Sequence, residues 1–317
     1  MMTEPAGRQG VRIGFLLWPQ TADWPAIRDA AVRAERAGAA SLWTWDHLNS
    51  IVGPWEGPIL EGWSVLAGWS QVTSRVTLGL MVGANTFRNP GLTAKLATTL
   101  DHLSDGRAIL GVGAGWFARE HEAFGIEFGA GLGERLDRLG EAVPLVRRLL
   151  DGERVTHEGR WYSFSDAICA PLPVQARLPI LVGGSGPRKT LPLVARHADM
   201  WNAYGSPEEL AASDSILRRA CEAAGRDDRE IERTFNGNVV IRASREAAEL
   251  AWRGWLERHR PQAGEDRLNA FGTVADVAEE LDRYRDVGFG HPVLIFRSPF
   301  DLETMDRLPD LRAALGD

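Results

Sequence analysis

Ala108-Ile109-Leu110-Gly111-Val112-Gly113-Ala114-Gly115-Trp116 and Pro179-Ile180-Leu181-Val182-Gly183-Gly184-Ser185-Gly186-Pro187-Arg188-Lys189-Thr190 are built alike: an apolar strand runs into a cluster of glycines at the start of a helix. Glycines at a strand-to-helix junction let backbone N–H groups approach an anionic or planar ligand, because no Cβ stands in the way and the helix N-terminus carries partial positive charge. One such cluster is also an ordinary tight turn. Two on the same strand edge, the second followed by Arg188, Lys189 and Thr190, point to ligand binding, most simply of a phosphorylated cofactor.

Outward from these turns the chain keeps one rhythm. Residues 11–17 are a compact apolar run closed by Trp18-Pro19, a buried strand; Trp24, Ile27, Ala31 and Ala34 then recur at helical spacing, and Gly38 supplies a C-cap. Strand 41–45 precedes helix 61–73, and strand 76–82 precedes helix 90–103, which carries Pro90 in its first turn and Leu92, Leu96, Leu100 and Leu103 on one face. The strand at 108–110 is followed by helix 135–150, and the alternation resumes with strands at 178–182, 199–203, 235–241 and 292–296, separated by helical segments. Strict alternation implies parallel pairing, and eight strands close into a single (β/α)8 TIM barrel over residues 1–317; a doubly wound open sheet is the alternative.

Two segments break the rhythm. Residues 151–177, with Trp161, Tyr162, Phe164 and several prolines, read as an excursion over the surface after the fourth helix, in the form of a short hairpin. Residues 258–272 are polar, contain Pro261 and Gly264 and precede Thr273 as an N-cap; they read as a lid over the site or as a solvated linker.

Composition narrows the partners. A net charge of −7 offers no basic footprint for nucleic acid. No apolar run approaches the roughly 20 residues that cross a bilayer, so no membrane partner is expected, and the polar residues 1–10 lack the apolar core of a secretion signal. Cys169 and Cys221 are isolated, and the seven histidines show no ligand spacing, so neither a disulfide framework nor a metal is expected and a cytoplasmic location fits.

A barrel puts its chemistry at the C-terminal ends of the strands. Trp18, Trp45-Asp46-His47, Met81-Val82, the two glycine turns, Trp201 and Arg297 all fall there. Asp46 and His47 are neighbours in an extended segment, so their side chains point apart and no direct relay between them follows. His47 is the histidine placed to exchange a proton with a substrate oxygen, although a rim histidine is also commonly structural. Trp18, Trp45, Trp116 and Trp201 offer flat walls to an aromatic cofactor or substrate, or simply pack the rim.

Taken together these motifs resemble the bacterial luciferase-like flavin superfamily, and more narrowly its branch that uses the deazaflavin coenzyme F420. The resemblance covers nearly the whole chain and rests on residues 42–47, 85–90, 100–107, 111–116, 179–190 and 198–202. It implies an isoalloxazine-like ring at the barrel mouth, supported by a bulge at Met81-Val82 that commonly contains a non-proline cis peptide. By the same resemblance, Asp46, Ala114 and Gly115 would contact the ring and ribityl chain, Gly183, Gly184, Ser185 and Gly186 the phosphate, and His47 the reacting oxygen; a homodimer is also implied. The implied reaction is hydride transfer between F420 and a small, partly apolar substrate. An FMN-dependent monooxygenase using reduced flavin and oxygen is the alternative, and a barrel that binds cofactor without chemistry is a third. One position departs from the pattern: the sugar-phosphate dehydrogenases of this group carry a catalytic Glu directly after the Gly-x-Gly turn, where this chain has Trp116. Glu120 is near in sequence but needs a helical turn to bring it back.

Overall fold

The computed structural model describes residues 11–259 and 268–316. Its frame is eight parallel strands: β1 (Gly14–Leu17), β2 (Ser41–Thr44), β3 (Thr77–Leu80), β4 (Ala108–Gly113), β5 (Ile180–Gly183), β6 (Met200–Ala203), β7 (Glu232–Ile241) and β8 (His291–Phe296). Each pairs with the next, and β8 pairs back onto β1, so that Gly14 lies between Ser41 and Val293. The sheet is therefore a closed barrel, not an open doubly wound one. Strand alternation sorts the side chains. Leu16, Trp43, Ile109, Leu181, Met200, Val293 and Ile295 fill the interior, while Phe15, Leu42, Leu78, Leu110, Ile180 and Leu294 pack under the outer helices.

The first helix, Trp24–Ala37, is capped by Asp23 accepting from the Ala26 N–H, and it ends at Gly38 with φ +95°. Helix Pro90–Leu103 has the expected limits but a different inner face. It buries Ala94, Ala97, Thr98, Leu100 and Asp101, and leaves Leu92 and Leu103 about half exposed. Asp101 accounts for this rotation, since its buried carboxylate accepts from the backbone N–H groups of Ala108 and Gln175 and from the Gln175 side chain. Arg107 donates to the carbonyls of Ser70, Thr73 and Val76. The motif at 100–107 thus staples the N-terminal end of the barrel, opposite its mouth.

The excursion after helix Leu132–Leu150 is a hairpin, Val155–Glu158 with Ser163–Ala167, as its composition suggests. The segment 258–272 differs from expectation. Helix Arg245–His259 runs into its beginning, and Leu268–Gly272 is a strand that pairs in parallel with β7 from Gly237 to Ile241. At ten residues β7 outruns its neighbours; β6 covers its edge only as far as Phe235, and the extra strand takes the edge beyond. Residues 268–272 are barrel wall, not lid, and the rest of that expectation, 260–267, lies outside the described residues. Among the described residues no helix is long and apolar enough to cross a membrane.

Between β3 and β4 the wall bulges. The Met81-Val82 peptide is cis, and Gly83–Ala84 then pairs with the end of β4. Glycine makes room for this: a Cβ on Gly111 would stand 1.8 Å from the Leu80 carbonyl oxygen, and one on Gly113 would stand 2.7 Å from a Val82 methyl. Gly111→Ala should therefore destabilise the fold by about 2–3 kcal/mol as overpacking. Gly140→Ala, in a helix with open space around it, should stabilise by about 0.5–1 kcal/mol. Urea unfolding of the two variants checks both signs.

Candidate active site

The mouth of the barrel holds a cavity of about 310 Å³ with two unlike walls. One is aromatic, from Trp18, Trp45, Trp116 and Tyr204; the other is nearly bare backbone, from Gly83, Ala84, Gly113, Ala114, Gly115, Gly183 and Gly184 around Met81 and Val82. The strand ends converge as the barrel requires, because the inward alternation of β1 and β2 carries past their last residues to Trp18 and Trp45. These two indoles meet edge to face with ring centroids 3.8 Å apart. Val82 is the residue on which the bare wall is centred. A Cβ on Gly113 or Gly183 would meet its methyls at 2.7 and 3.1 Å, so both glycine turns are first of all spaces for the chain's own bulge.

Asp46 and His47 do point apart. The buried Asp46 carboxylate takes both nitrogens of Arg88, at 2.6 and 2.8 Å, and accepts from the Ala84 N–H at 2.9 Å. Burial opposes the Arg88 charge, but the Asp46 carboxylate more than offsets it and holds the guanidinium above its ordinary pKa. Asp46 thus ties the short strand after the bulge to β2. His47 turns the other way. Its Nδ1 lies 3.0 and 3.2 Å from the two oxygens of Glu120, and one of those oxygens also accepts from the Leu48 N–H at 2.8 Å. Glu120 is 1% exposed and sits in helix Ala118–Phe124, the turn that returns it to the mouth. Trp45, Trp116 and Phe117 pack edge-on around the imidazole. Because Nδ1 is engaged by a carboxylate, Nε2 is the nitrogen left for a ligand.

Other predicted residues fall elsewhere. Trp201 is fully buried among the outer core side chains, and its indole N–H donates to the Gly184 carbonyl at 2.8 Å; it braces the second turn from behind and does not line the cavity. Its strand neighbour Asn202 faces the cavity instead, with its amide on Thr234 and Asn236. Ser185 and Gly186 lie past the cavity wall, in the turn before helix Thr190–His197. The Gly184 N–H already donates to the Asn202 carbonyl, so it is not free for a phosphate. Lys189 is turned away onto Asp137 and the Gly133 carbonyl. Tyr204 and Ile51 join the cavity without having been singled out from sequence, Asn202 takes the place there expected of Trp201, and Glu120, noted as near in sequence, is returned to the mouth by its helix.

A closed barrel whose mouth sets a bare backbone wall against an aromatic one, beside a histidine–carboxylate pair, is a site for a planar ligand with proton chemistry at its edge. The profile of the luciferase-like monooxygenase family matches residues 11–270, and the chain belongs to that family. It is 37% identical over 216 residues to an F420-dependent glucose-6-phosphate dehydrogenase of Kineococcus radiotolerans, an alignment that spans 66% of this chain and 62% of that protein. It is 31% identical to the enzyme of the same name from Intrasporangium calvum, over 90% of this chain and 94% of that one. Among solved structures, an F420-dependent secondary alcohol dehydrogenase in complex with an F420-acetone adduct superposes with a TM-score of 0.83 at 20% identity, covering 98% of this chain and all of that one, 100%. That likeness shows a shared fold.

Arg88→Ala would leave the Asp46 carboxylate buried without its cation, and loss of one partner of such a pair typically costs about 3–5 kcal/mol. A correspondingly lower urea midpoint is expected, with Arg88→Lys recovering only part of the loss.

Proposed function

We propose that the protein is an oxidoreductase that uses coenzyme F420 to move a hydride to or from a small, partly apolar organic substrate. The observation that carries this reading is the His47–Glu120 pair standing at the edge of a cavity whose far wall is stripped of side chains. The residues fit a flat, fused-ring cofactor. Val82 projects between two glycines that have no side chain of their own to raise, and the tryptophan wall faces them. The volume lies at the lower end of the roughly 300–1,000 Å³ usual for small-molecule sites.

In this reading Met81 and Val82 support the ring, while Ala114 and Gly115 meet it and the chain beyond with backbone. Gly183 adjoins the phosphate end, and Ser185 and Gly186 offer the N–H groups that Gly184 cannot. When bound, F420 supplies hydride chemistry at a ring carbon. Asp46 is held by Arg88 and fixes the bulge beneath the ring. His47 presents Nε2 to the substrate oxygen, taking a proton when an alcohol is oxidised and returning it when a carbonyl is reduced. Glu120 fixes the imidazole's tautomer and orientation and lies against the positive charge that forms. The tryptophans Trp18, Trp45 and Trp116 exclude water and shape the substrate space.

The sugar-phosphate activity named for the relatives is not the one favoured here. Trp116 stands directly after the glycine turn with 61% of its surface exposed, and the nearby carboxylate, Glu120, is committed to His47 and Leu48. This favours a less polar reacting group. A homodimer is the assembly that accompanies this reading.

Titrating the purified chain with oxidised F420 and with FMN, by tryptophan quenching, tests the cofactor. Micromolar F420 binding with FMN at least tenfold weaker is expected; FMN preference together with oxygen consumption would overturn the proposal in favour of a monooxygenase. Glu120→Gln should lower kcat about 10- to 100-fold and displace the pH profile of kcat/KM while leaving F420 affinity unchanged, and His47→Ala should lower kcat at least as far. An E120Q enzyme with the wild-type rate and pH profile would remove Glu120 from the mechanism.

A further inference from the structure

Asn202 is only 1% exposed, yet it lines the cavity, and its amide is fixed from behind. The inward alternation of β6 runs from Met200 to Asn202, which sits level with Gly183 of β5 and Thr234 of β7. The single hydroxyl hydrogen of Thr234 goes to the Trp201 carbonyl at 3.1 Å, so toward Asn202 its Oγ1 can only accept. That settles which way the amide points. Asn202 Nδ2 donates to Thr234 Oγ1 at 2.9 Å and to Asn236 Oδ1 at 2.8 Å; Asn236, with its oxygen so engaged, turns its own Nδ2 to the Tyr204 hydroxyl at 3.2 Å.

Both amide hydrogens of Asn202 are therefore spent on the wall, and its Oδ1 is left over. Among the described residues no group donates to that oxygen. Nor is it sealed in, as the partnerless Oδ1 of Asn238 is, so it opens onto the cavity that Asn202 lines. Any ligand that excludes water from the mouth must supply a donor at this point or leave a buried acceptor unpaired. Position selects the kind of donor. Asn202 borders the bare wall directly beside Gly183, and β6 lies four strands from β2 either way round the barrel, so it faces His47 across the mouth. Because the barrel curves, a flat ligand lying along β4 and β5 meets β6 at its edge, and the donor has to lie in the plane of the ring.

We propose that Asn202 Oδ1 accepts the in-plane imide N–H of the cofactor's pyrimidinedione ring. One edge of the ring is thereby anchored across the mouth from His47, and the side at His47 is left to the substrate. This deepens the proposed function and rests on it for a planar cofactor in the mouth, but not for F420 over FMN, since both rings carry the imide.

The test is equilibrium binding of the full chain to the phosphate-free deazaflavin chromophore of F420 and to the same ring methylated at its imide nitrogen, followed by ring fluorescence. Asn202→Ser and Asn202→Thr are both made, because either hydroxyl replaces one of the two amide donations to the wall, and thermal midpoints show which variant is folded. The wild type should bind the methylated ring about tenfold more weakly or worse. In a folded variant the unmethylated ring should lose about tenfold in affinity, and the two rings should then bind within about threefold of each other. A purely structural Asn202 lowers both affinities alike and keeps the wild-type ratio; that result overturns the proposal. Equal binding of the two rings by the wild type overturns it without any variant and passes the donor's part to the ring hydroxyl of F420. Riboflavin and imide-methylated riboflavin, taken through the same measurement, separate this from the proposed function. Discrimination within the riboflavin pair by a chain that binds neither deazaflavin sinks the F420 reading and leaves Asn202 in its role, whereas deazaflavin binding that ignores the methyl group does the reverse.

Discussion

The close approach of two backbones is the constraint on which the site depends. The Leu80 carbonyl presses on β4 at the one place where Gly111 has no side chain, and only then can the chain turn through Met81 and set Val82 between Gly113 and Gly183. Everything on the bare wall follows from that placement. The flat face exists because the residues around Val82 are too small to cover it, and Gly83–Ala84 can rejoin β4 because the bulge has brought it there. Protein interiors are packed closely enough that such an approach cannot be softened by small shifts elsewhere.

A second constraint separates the charges. Asp46 and His47 are consecutive, yet extended geometry directs one carboxylate and one imidazole to opposite sides of the same strand end. Each then takes a partner from a different part of the chain, Arg88 for Asp46 and Glu120 for His47. The outcome is a division of labour between two buried carboxylates. The one paired with arginine is neutralised and structural, whereas the one paired with histidine sits beside a group that can change charge. Had the two acids exchanged partners, the bulge would lose its tie and the histidine its orientation.

How much of this was legible in the sequence depended on how local the cause was. Strand and helix periodicity fixed all eight barrel strands, Pro90 and Gly38 marked helix limits as they should, and the glycine turns located the mouth. What failed was the choice between adjacent residues where burial on both faces erases the pattern. Met200, Trp201, Asn202 and Ala203 are all buried, so nothing local says that Asn202 faces the cavity and Trp201 the outer core. The leucine stripe of helix Pro90–Leu103 misled for a related reason, since a buried Asp101 with three hydrogen bonds set the rotation and no hydrophobic count includes it. Glu120 was visible only as a neighbour in sequence, because the short helix that returns it gives little periodic signal, and Leu268–Gly272 was hidden because it pairs only where β7 outruns β6.

The same distinction bears on what a likeness to relatives can carry. The bulge, the glycines around it and the carboxylate beneath it are fixed by backbone packing that tolerates little change. Trp116 lies where its side chain projects into solvent. An exposed side chain at such a position can change without disturbing the barrel. A chain can therefore keep the family's barrel and still present a flat apolar edge at the glycine turn.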